Sequence, residues 1–298
     1  MKNSVDLDVF SGTNDVPTFV ISTTLPRPRG TDEPFADHIR QRLERLEQLA
    51  RELDEIDRYE AGPSGFTVPP GFLLSIVIPI FNERDTIETI VARLVALPFR
   101  TEVIVVDDGS TDGTSESLMP LGELPNVRLV VKPMNEGKGS AVRAGIARAQ
   151  GDVVVIQDAD LEYDPRDIPR LLEPILNGHA DVVYGSRYLN HRGHGSSWFH
   201  RLGNRILTIA SNFTTGLRLT DMETGYKVFR RSSLRNIPLQ QNRFGFEPEV
   251  TAKIARRRLR LVEVPVRYNP RGWADGKKIG LRDAFAAIYC IVRYAWMD

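Results

Sequence analysis

The segment Gln157-Asp158-Ala159-Asp160-Leu161-Glu162 carries three carboxylates at alternate positions. Alternate residues of extended backbone face the same way. Asp158, Asp160 and Glu162 are therefore candidates to converge on one divalent cation. Such ions take oxygen ligands and commonly bring phosphates with them. Two more acidic segments stand nearby in type: Pro79-Ile80-Phe81-Asn82-Glu83, and Asp107-Asp108-Gly109-Ser110-Thr111-Asp112-Gly113. Each alone reads as a turn or a helix cap, because Asp, Gly and Ser are turn residues. All three segments follow an apolar run, however, and like charges gathered at one edge repel unless something compensates them. Asp221 and Glu223, in TDMETGYKVF, are the remaining candidates for a carboxylate base, or for a turn before a strand.

The elements that must position these groups are legible as runs and periods. Leu73 to Ile80, Glu102 to Val106, Val127 to Val131, Val153 to Ile156 and Val182 to Tyr184 are apolar runs of the kind found in strands buried on both faces. Helical periodicity over Thr86–Leu97, Gly139–Ala149 and Ile168–Leu176 separates them. Strand and helix in this rhythm predict an α/β fold with a doubly wound, mostly parallel sheet flanked by helices. Ligands of such sheets sit beyond the carboxyl ends of the strands, where the acidic segments fall. Asn135-Glu136-Gly137-Lys138-Gly139-Ser140 fails both the Walker and the dinucleotide glycine spacings. It reads as a helix N-terminus facing a phosphate-bearing donor.

Upstream, residues 1–30 lack steady periodicity and hold several prolines, which predicts a flexible arm. Residues 31–70 comprise an amphipathic helix, from Thr31 to about Tyr59, and a Gly/Pro linker. The helix packs on its own domain or, through a near-heptad seam, forms a homodimer. Residues 71–298 are the expected main domain. Lys+Arg and Asp+Glu both number 39, so no whole-protein field draws in nucleic acid, and none is expected as a partner. One cysteine suits a reducing compartment, and no apolar run reaches the roughly 20 residues of a membrane span. The expected location is cytoplasmic. Leu281 to Trp296 is amphipathic and aromatic, either a helix capping the core or an interfacial helix giving peripheral contact on the cytoplasmic membrane face.

SIVIPIFNE, VIVVDDGSTDGT, NEGKGSAVRAG, GDVVVIQDADLEYDP and YGSRY, in this order, resemble the family 2 glycosyltransferases of the GT-A type. They are most similar to the polyprenyl-phosphate sugar transferases, which include dolichyl-phosphate mannose synthase. The resemblance implies that Pro79, Phe81, Glu83 and Asp107 contact the base and ribose of a GDP- or UDP-sugar, with Ala159 beside them. It implies that Asp158 and Asp160 hold Mg²⁺ or Mn²⁺ on the donor diphosphate, with Glu162 where mannose synthases have a metal-binding Gln. Arg187 and Arg201 match arginines that grip an acceptor phosphate. Arg205, one helical turn from Arg201, and the loop residues Arg271 and Lys277 join them; without the resemblance, Arg201 and Arg205 read as a solvated basic face. Glu247, in GFEPE, departs from the lysine common in mannose synthases.

The expected activity is inverting transfer of a sugar from a nucleotide sugar to a polyprenyl (dolichyl or undecaprenyl) phosphate, with Asp160 and Arg187 as catalytic residues. A phosphate acceptor is already anionic and needs no strong base. A hydroxyl acceptor, on a glycan or small molecule, would need one, and Asp221 would then serve. Two other classes remain on the sequence alone. A sugar nucleotidyltransferase would show a glycine-rich signature after the first buried strand, which SIVIPIFNE lacks. A non-catalytic sugar-binding module would show eroded carboxylates, yet Asp158, Asp160 and Glu162 are present.

Overall fold

The structure is a computed structural model that describes residues 8–9, 19–20, 67–189, 198–235, 237–271 and 281–296. Its strands are β1 (Asp8–Val9), β2 (Phe19–Val20), β3 (Leu74–Ile80), β4 (Thr101–Asp107), β5 (Val127–Val131), β6 (Val153–Ile156), β7 (Val182–Ser186), β8 (Lys227–Arg230) and β9 (Leu261–Pro265). Its α-helices are α1 (Ile87–Val95), α2 (Thr114–Leu118), α3 (Lys138–Ile146), α4 (Ile168–Leu176), α5 (Trp198–Thr215), α6 (Arg231–Leu234), α7 (Phe246–Arg256) and α8 (Leu281–Trp296). The helix expected over residues 31–59 lies outside the described residues, as does Lys277.

The strands form one sheet in the order β1-β2-β5-β4-β3-β6-β8-β7-β9. Every residue of β3 and of β6 is buried, which is what their unbroken apolar runs predict for the centre of a parallel sheet. β5, β4, β3 and β6 pair in parallel, as do β7 and β9. β8 runs the opposite way and joins the two groups by antiparallel pairing to β6 and β7. At the other edge, β1 and β2 pair antiparallel with each other, and β2 with β5.

Successive side chains of a strand point to opposite faces, and each face has its own core. Ile76, Ile78, Val103 and Val105 pack with Ile90 and Val91 of α1 and with Leu171 and Leu172 of α4. Val77, Ile104, Val106 and Val154 pack with Ala141 and Val142 of α3 and with Phe246, Val250 and Ile254 of α7. A doubly wound, mostly parallel sheet is thus the scaffold, as the strand–helix rhythm predicts.

Candidate functional site

The pairing directions bring the acidic and basic segments to one edge of the sheet. β3, β4, β6, β7 and β9 all end there, and β8 begins there. Ile80 stands opposite Asp107, Ile156 opposite Lys227, and Ser186 opposite Pro265. Residues 81–83, 107–113, 158–162, 187, 221–226 and 266–271 therefore surround one place.

At the end of β6, Asp158 and Asp160 are partly exposed, whereas Ala159 and Glu162 are buried. The structure does not bring the three carboxylates together as alternate residues of an extended segment. Leu161 adopts a positive φ of 58°, which turns the chain and sends Glu162 inward. There its Oε2 accepts a hydrogen bond from the Tyr268 hydroxyl at 2.7 Å and its Oε1 one from the Arg271 backbone N–H at 3.1 Å. Among the described residues, no three His, Cys, Asp or Glu side chains are gathered for a metal ion. Asp160 Oδ1 accepts from the Glu162 N–H at 3.2 Å. Asp158 Oδ1 lies 2.9 Å from Lys138 Nζ, and the same ammonium is 3.4 Å from Glu247 Oε1. Burial alone would push this lysine down; the Asp158 and Glu247 carboxylates outweigh it and hold the ammonium above its ordinary value. Lys138 opens α3, so its side chain links the start of that helix to Asp158.

A glycine fixes Asp158 from below. A Cβ on Gly225 would fall 2.1 Å from Asp158 Oδ2 and 2.8 Å from the Tyr163 ring. The Gly225 N–H donates to the Tyr163 hydroxyl at 2.8 Å. Tyr163 packs on Tyr226 and Tyr268, with ring centroids 4.9 and 5.2 Å apart, so an aromatic floor underlies the acidic loop.

At the end of β3, Pro79 is buried, Phe81 is 43% exposed, and Asn82 takes a positive φ of 58°. Glu83 donates its N–H to Thr114 Oγ1 at 3.0 Å. Its carboxylate receives a fork from Arg271, with Nη1 and Nη2 at 3.2 and 2.6 Å, and Arg271 Nε donates to the Asp160 carbonyl at 2.8 Å. Arg271 therefore stands on the side of Glu83 and Asp160. The buried Asp107 accepts from the Ser110 N–H and hydroxyl at 2.9 and 2.6 Å and from the Ser115 hydroxyl.

Beside it stands a buried network that no motif in the sequence announces. Asp108 is buried, accepts from Gly137 N–H at 2.6 Å, and pairs with the buried Lys132, which also pairs with Glu136 at 2.7 Å. This cluster anchors the turn that precedes α3. Its signal was Lys132 directly after an apolar strand, with an acid four residues on.

On the other side, Arg187 forks onto Asp221. Nε and Nη2 donate to Oδ2 and Oδ1, each at 2.7 Å, and the Arg187 N–H adds a third bond at 3.1 Å. Asn204 Nδ2 donates to Oδ1 at 3.0 Å. Asp221 is fully buried. Burial alone would raise its carboxyl, but the Arg187 guanidinium and these hydrogen bonds hold it below the usual carboxylate range. Glu263 accepts from the Asp221 and Thr220 N–H groups and fixes the turn.

Arg201 and Arg205 are exposed on α5, beyond that turn. Between and after them stand exposed apolar side chains, Leu202, Ile206, Ile209 and Phe213. Neighbouring α8 adds Ile288, Tyr289, Val292 and Trp296, while its Ala287, Cys290, Ile291 and Tyr294 pack inward. One side of Leu281–Trp296 thus packs on the protein, as the capping reading expects, and the other is apolar and exposed. No described helix is long and apolar enough to cross a membrane.

Comparison with known proteins fits this geometry. The sequence profile "Glycosyl transferase family 2" matches residues 75–237. The undecaprenyl-phosphate 4-deoxy-4-formamido-L-arabinose transferase of Edwardsiella ictaluri is 32% identical over 74% of this chain and 66% of its own length. The dolichol-phosphate mannosyltransferase of Pyrococcus furiosus is 31% identical over 70% of this chain and 59% of its own. The chain thus spans about two thirds or less of these curated relatives. Among solved structures, glucosyl-3-phosphoglycerate synthase from Mycobacterium tuberculosis in complex with UDP is similar at a TM-score of 0.58 and 25% identity, over 76% of this chain and 82% of that one.

Proposed function

The chain belongs to glycosyl transferase family 2, and on that premise we propose that it moves a sugar from a nucleotide sugar to a polyprenyl phosphate, with inversion and with a divalent metal. It is a glycosyltransferase, and the nucleotidyltransferase and binding-module alternatives end there. The two relatives carry different sugars in their names but share a polyprenyl-phosphate acceptor. The acceptor class is therefore better supported than the sugar. The solved relative's UDP supports a uridine donor, with a guanosine donor as the alternative.

The observation that carries the reading is the Arg187–Asp221 fork. A hydroxyl acceptor needs a carboxylate able to take a proton. Asp221 is buried, saturated with hydrogen bonds and held below the usual carboxylate range, which makes it a poor base. A lipid phosphate needs no base. Arg187 keeps N–H groups on Nη1 and Nη2 beyond those used by Asp221, and Arg201 and Arg205 are exposed on α5, the helix whose Asn204 also binds Asp221. Guanidinium suits phosphate oxygens because its N–H groups are planar and paired. The exposed apolar rows of α5 and α8 support peripheral seating on a membrane surface, where such a lipid phosphate lies.

The donor side fits a divalent cation through its chemistry. Asp158 and Asp160 are partly exposed oxygen donors, Asp158 paired with the lysine that opens α3, and a hard cation held by two carboxylates takes phosphates and water for its remaining positions. When bound, the ion would offset charge on the departing nucleoside diphosphate. Arg271 orders Glu83 and the Asp160 backbone on one side, and Lys138 holds Asp158 on the other. Catalysis then consists of positioning the acceptor oxygen in line with the anomeric carbon and supporting the leaving group.

The test is transfer from radiolabelled UDP- and GDP-sugars to undecaprenyl and dolichyl phosphate in detergent, with Mn²⁺ and after EDTA. A lipid-linked product that needs metal and falls in Arg201→Ala is expected. Transfer only to glycans or other hydroxyl acceptors would overturn the acceptor assignment.

A further inference from the structure

Two buried carboxyl oxygens in this site have no hydrogen-bond partner, Oε2 of Glu247 and Oε1 of Glu223. Glu247 is 3% exposed and is the second residue of α7. The helix N-terminus favours its negative charge, which accounts for a buried carboxylate but not for a bare oxygen. Its other oxygen lies 3.4 Å from Lys138 Nζ, itself 2.9 Å from Asp158 Oδ1. The unsatisfied acceptor is thus one lysine away from the carboxylate assigned to the donor diphosphate. Glu223 belongs to the loop whose Gly225 presses on Asp158. Burial and then the charge of Glu247 push its carboxyl up to about 8, so the two acids are neighbours.

Buried polar groups are almost always paired. The unpaired oxygen of Glu247, beside the lysine that holds Asp158, calls for a ligand that supplies a hydrogen-bond donor. A diphosphate brings only acceptors to this place. A sugar ring brings hydroxyls, each of them a donor. We propose that Glu247, held by Lys138, accepts a hydrogen bond from a hydroxyl of the donor's sugar ring and is a specificity-determining residue, with Glu223 as a second contact beside it. This rests on the donor-site reading above. It also gives a role to the position where the chain departs from the lysine of the mannose synthases: a carboxylate reads hydroxyls that an ammonium would meet with the opposite polarity.

The experiment is calorimetric titration of the full-length protein with Mn²⁺. UDP, GDP, UDP-glucose, UDP-N-acetylglucosamine and GDP-mannose are compared for the native protein and for Glu247→Gln, which keeps the side chain's shape. The 2-, 3-, 4- and 6-deoxy analogues of the tightest sugar nucleotide are then titrated. Glu247→Gln should bind the nucleoside diphosphate within about twofold of the native protein and lose about 10- to 100-fold on the sugar nucleotide, the range of one hydrogen bond to a charged group. One deoxy analogue should show the same loss on the native protein and no further loss on the variant. Equal loss for diphosphate and sugar nucleotide would overturn the proposal. So would a native protein that treats every deoxy analogue alike, a measurement that stands even if the variant does not fold. Failure of the native protein to bind UDP or GDP at all would instead overturn the donor-site reading.

Discussion

Arg271 reaches back 188 residues to grip Glu83, with Nη2 2.6 Å from Oε2 and Nη1 3.2 Å from Oε1. The same side chain holds the Asp160 carbonyl, and the Arg271 N–H holds Glu162. One residue after β9 therefore ties the end of β3 to the acidic loop after β6.

Replacing Arg271 by Lys keeps the charge and removes the fork. We expect kcat/KM for the sugar nucleotide to fall about tenfold or more, because the planar fork that positions Glu83 is lost, with only a small drop in melting temperature, because ion pairs between partly exposed groups contribute about 0–1 kcal/mol. Initial rates across donor concentrations check this, and an unchanged kcat/KM would show that the fork plays no part in positioning.

Gly225 is required by space, because any Cβ there meets Asp158 Oδ2 at 2.1 Å. Gly225→Ala must displace the carboxylate or the Tyr163 ring. A displacement of about 1 Å in catalytic geometry costs on the order of a hundredfold in rate. Turnover should fall by that order while circular dichroism stays native. Full activity in a folded variant would show that the position of Asp158 is not critical.

Arg187→Met would leave Asp221 buried and charged without its partner. Breaking a buried pair in this way costs roughly 3–5 kcal/mol. Urea unfolding should show a loss of that order, and Arg187→Met combined with Asp221→Asn should recover part of it, because the stranded charge is gone. Additive losses in the double variant would mean that the two side chains are not coupled.

Glu223 gives a pH signature. Its carboxyl is pushed up to about 8 by burial and by the charge of Glu247, above roughly 4.3 in the unfolded chain. Between these values the folded protein holds a proton that the unfolded chain has released, so stability falls as pH rises. The contribution is complete below the unfolded value and lost as pH passes the folded one. Glu223→Gln should flatten this decline when melting temperatures are measured from about pH 5 to pH 9. An identical slope in native protein and variant would falsify the assignment.

Much of the scaffold was legible because its strands are buried on both faces. LSIVIPI, VIVVD and VVVI can hardly be read otherwise, and the carboxylates at their ends locate the site through the rule for doubly wound sheets. What stayed hidden depended on single backbone angles or on distant partners. Glu162 was expected to share a face with Asp160, but the left-handed Leu161 turns it toward Tyr268. Nothing local marks Leu161, a residue type seldom found at positive φ. The pairing of Lys132 with Asp108 needs the turn before α3 to be folded. The direction of β8 was illegible as well, since KVFR is four residues long and bounded by charges. The sequence offers Arg187 as a phosphate grip and Asp221 as a base, and no spacing rule shows that they bind each other.

The antiparallel β8 has a consequence for how the chain is made. A growing chain leaves the ribosome N-terminus first. β4, β5 and β6 can pair as they emerge, each finding a neighbour already present. β7 emerges with no partner, because both of its neighbours, β8 and β9, lie later in the sequence. Until residue 230 is out, β6 and β7 each keep an open, apolar edge, the kind that invites pairing with other chains. Then one four-residue strand closes both. Ribosome-held chains truncated before Lys227 are the ones that should be sticky, and the same short strand that completes the sheet brings Gly225, Glu223 and Asp221 to Asp158 and Arg187. β9 then covers the other edge of β7 and delivers Arg271 to Glu83 and Asp160, so each closing of an open edge adds a part of the site.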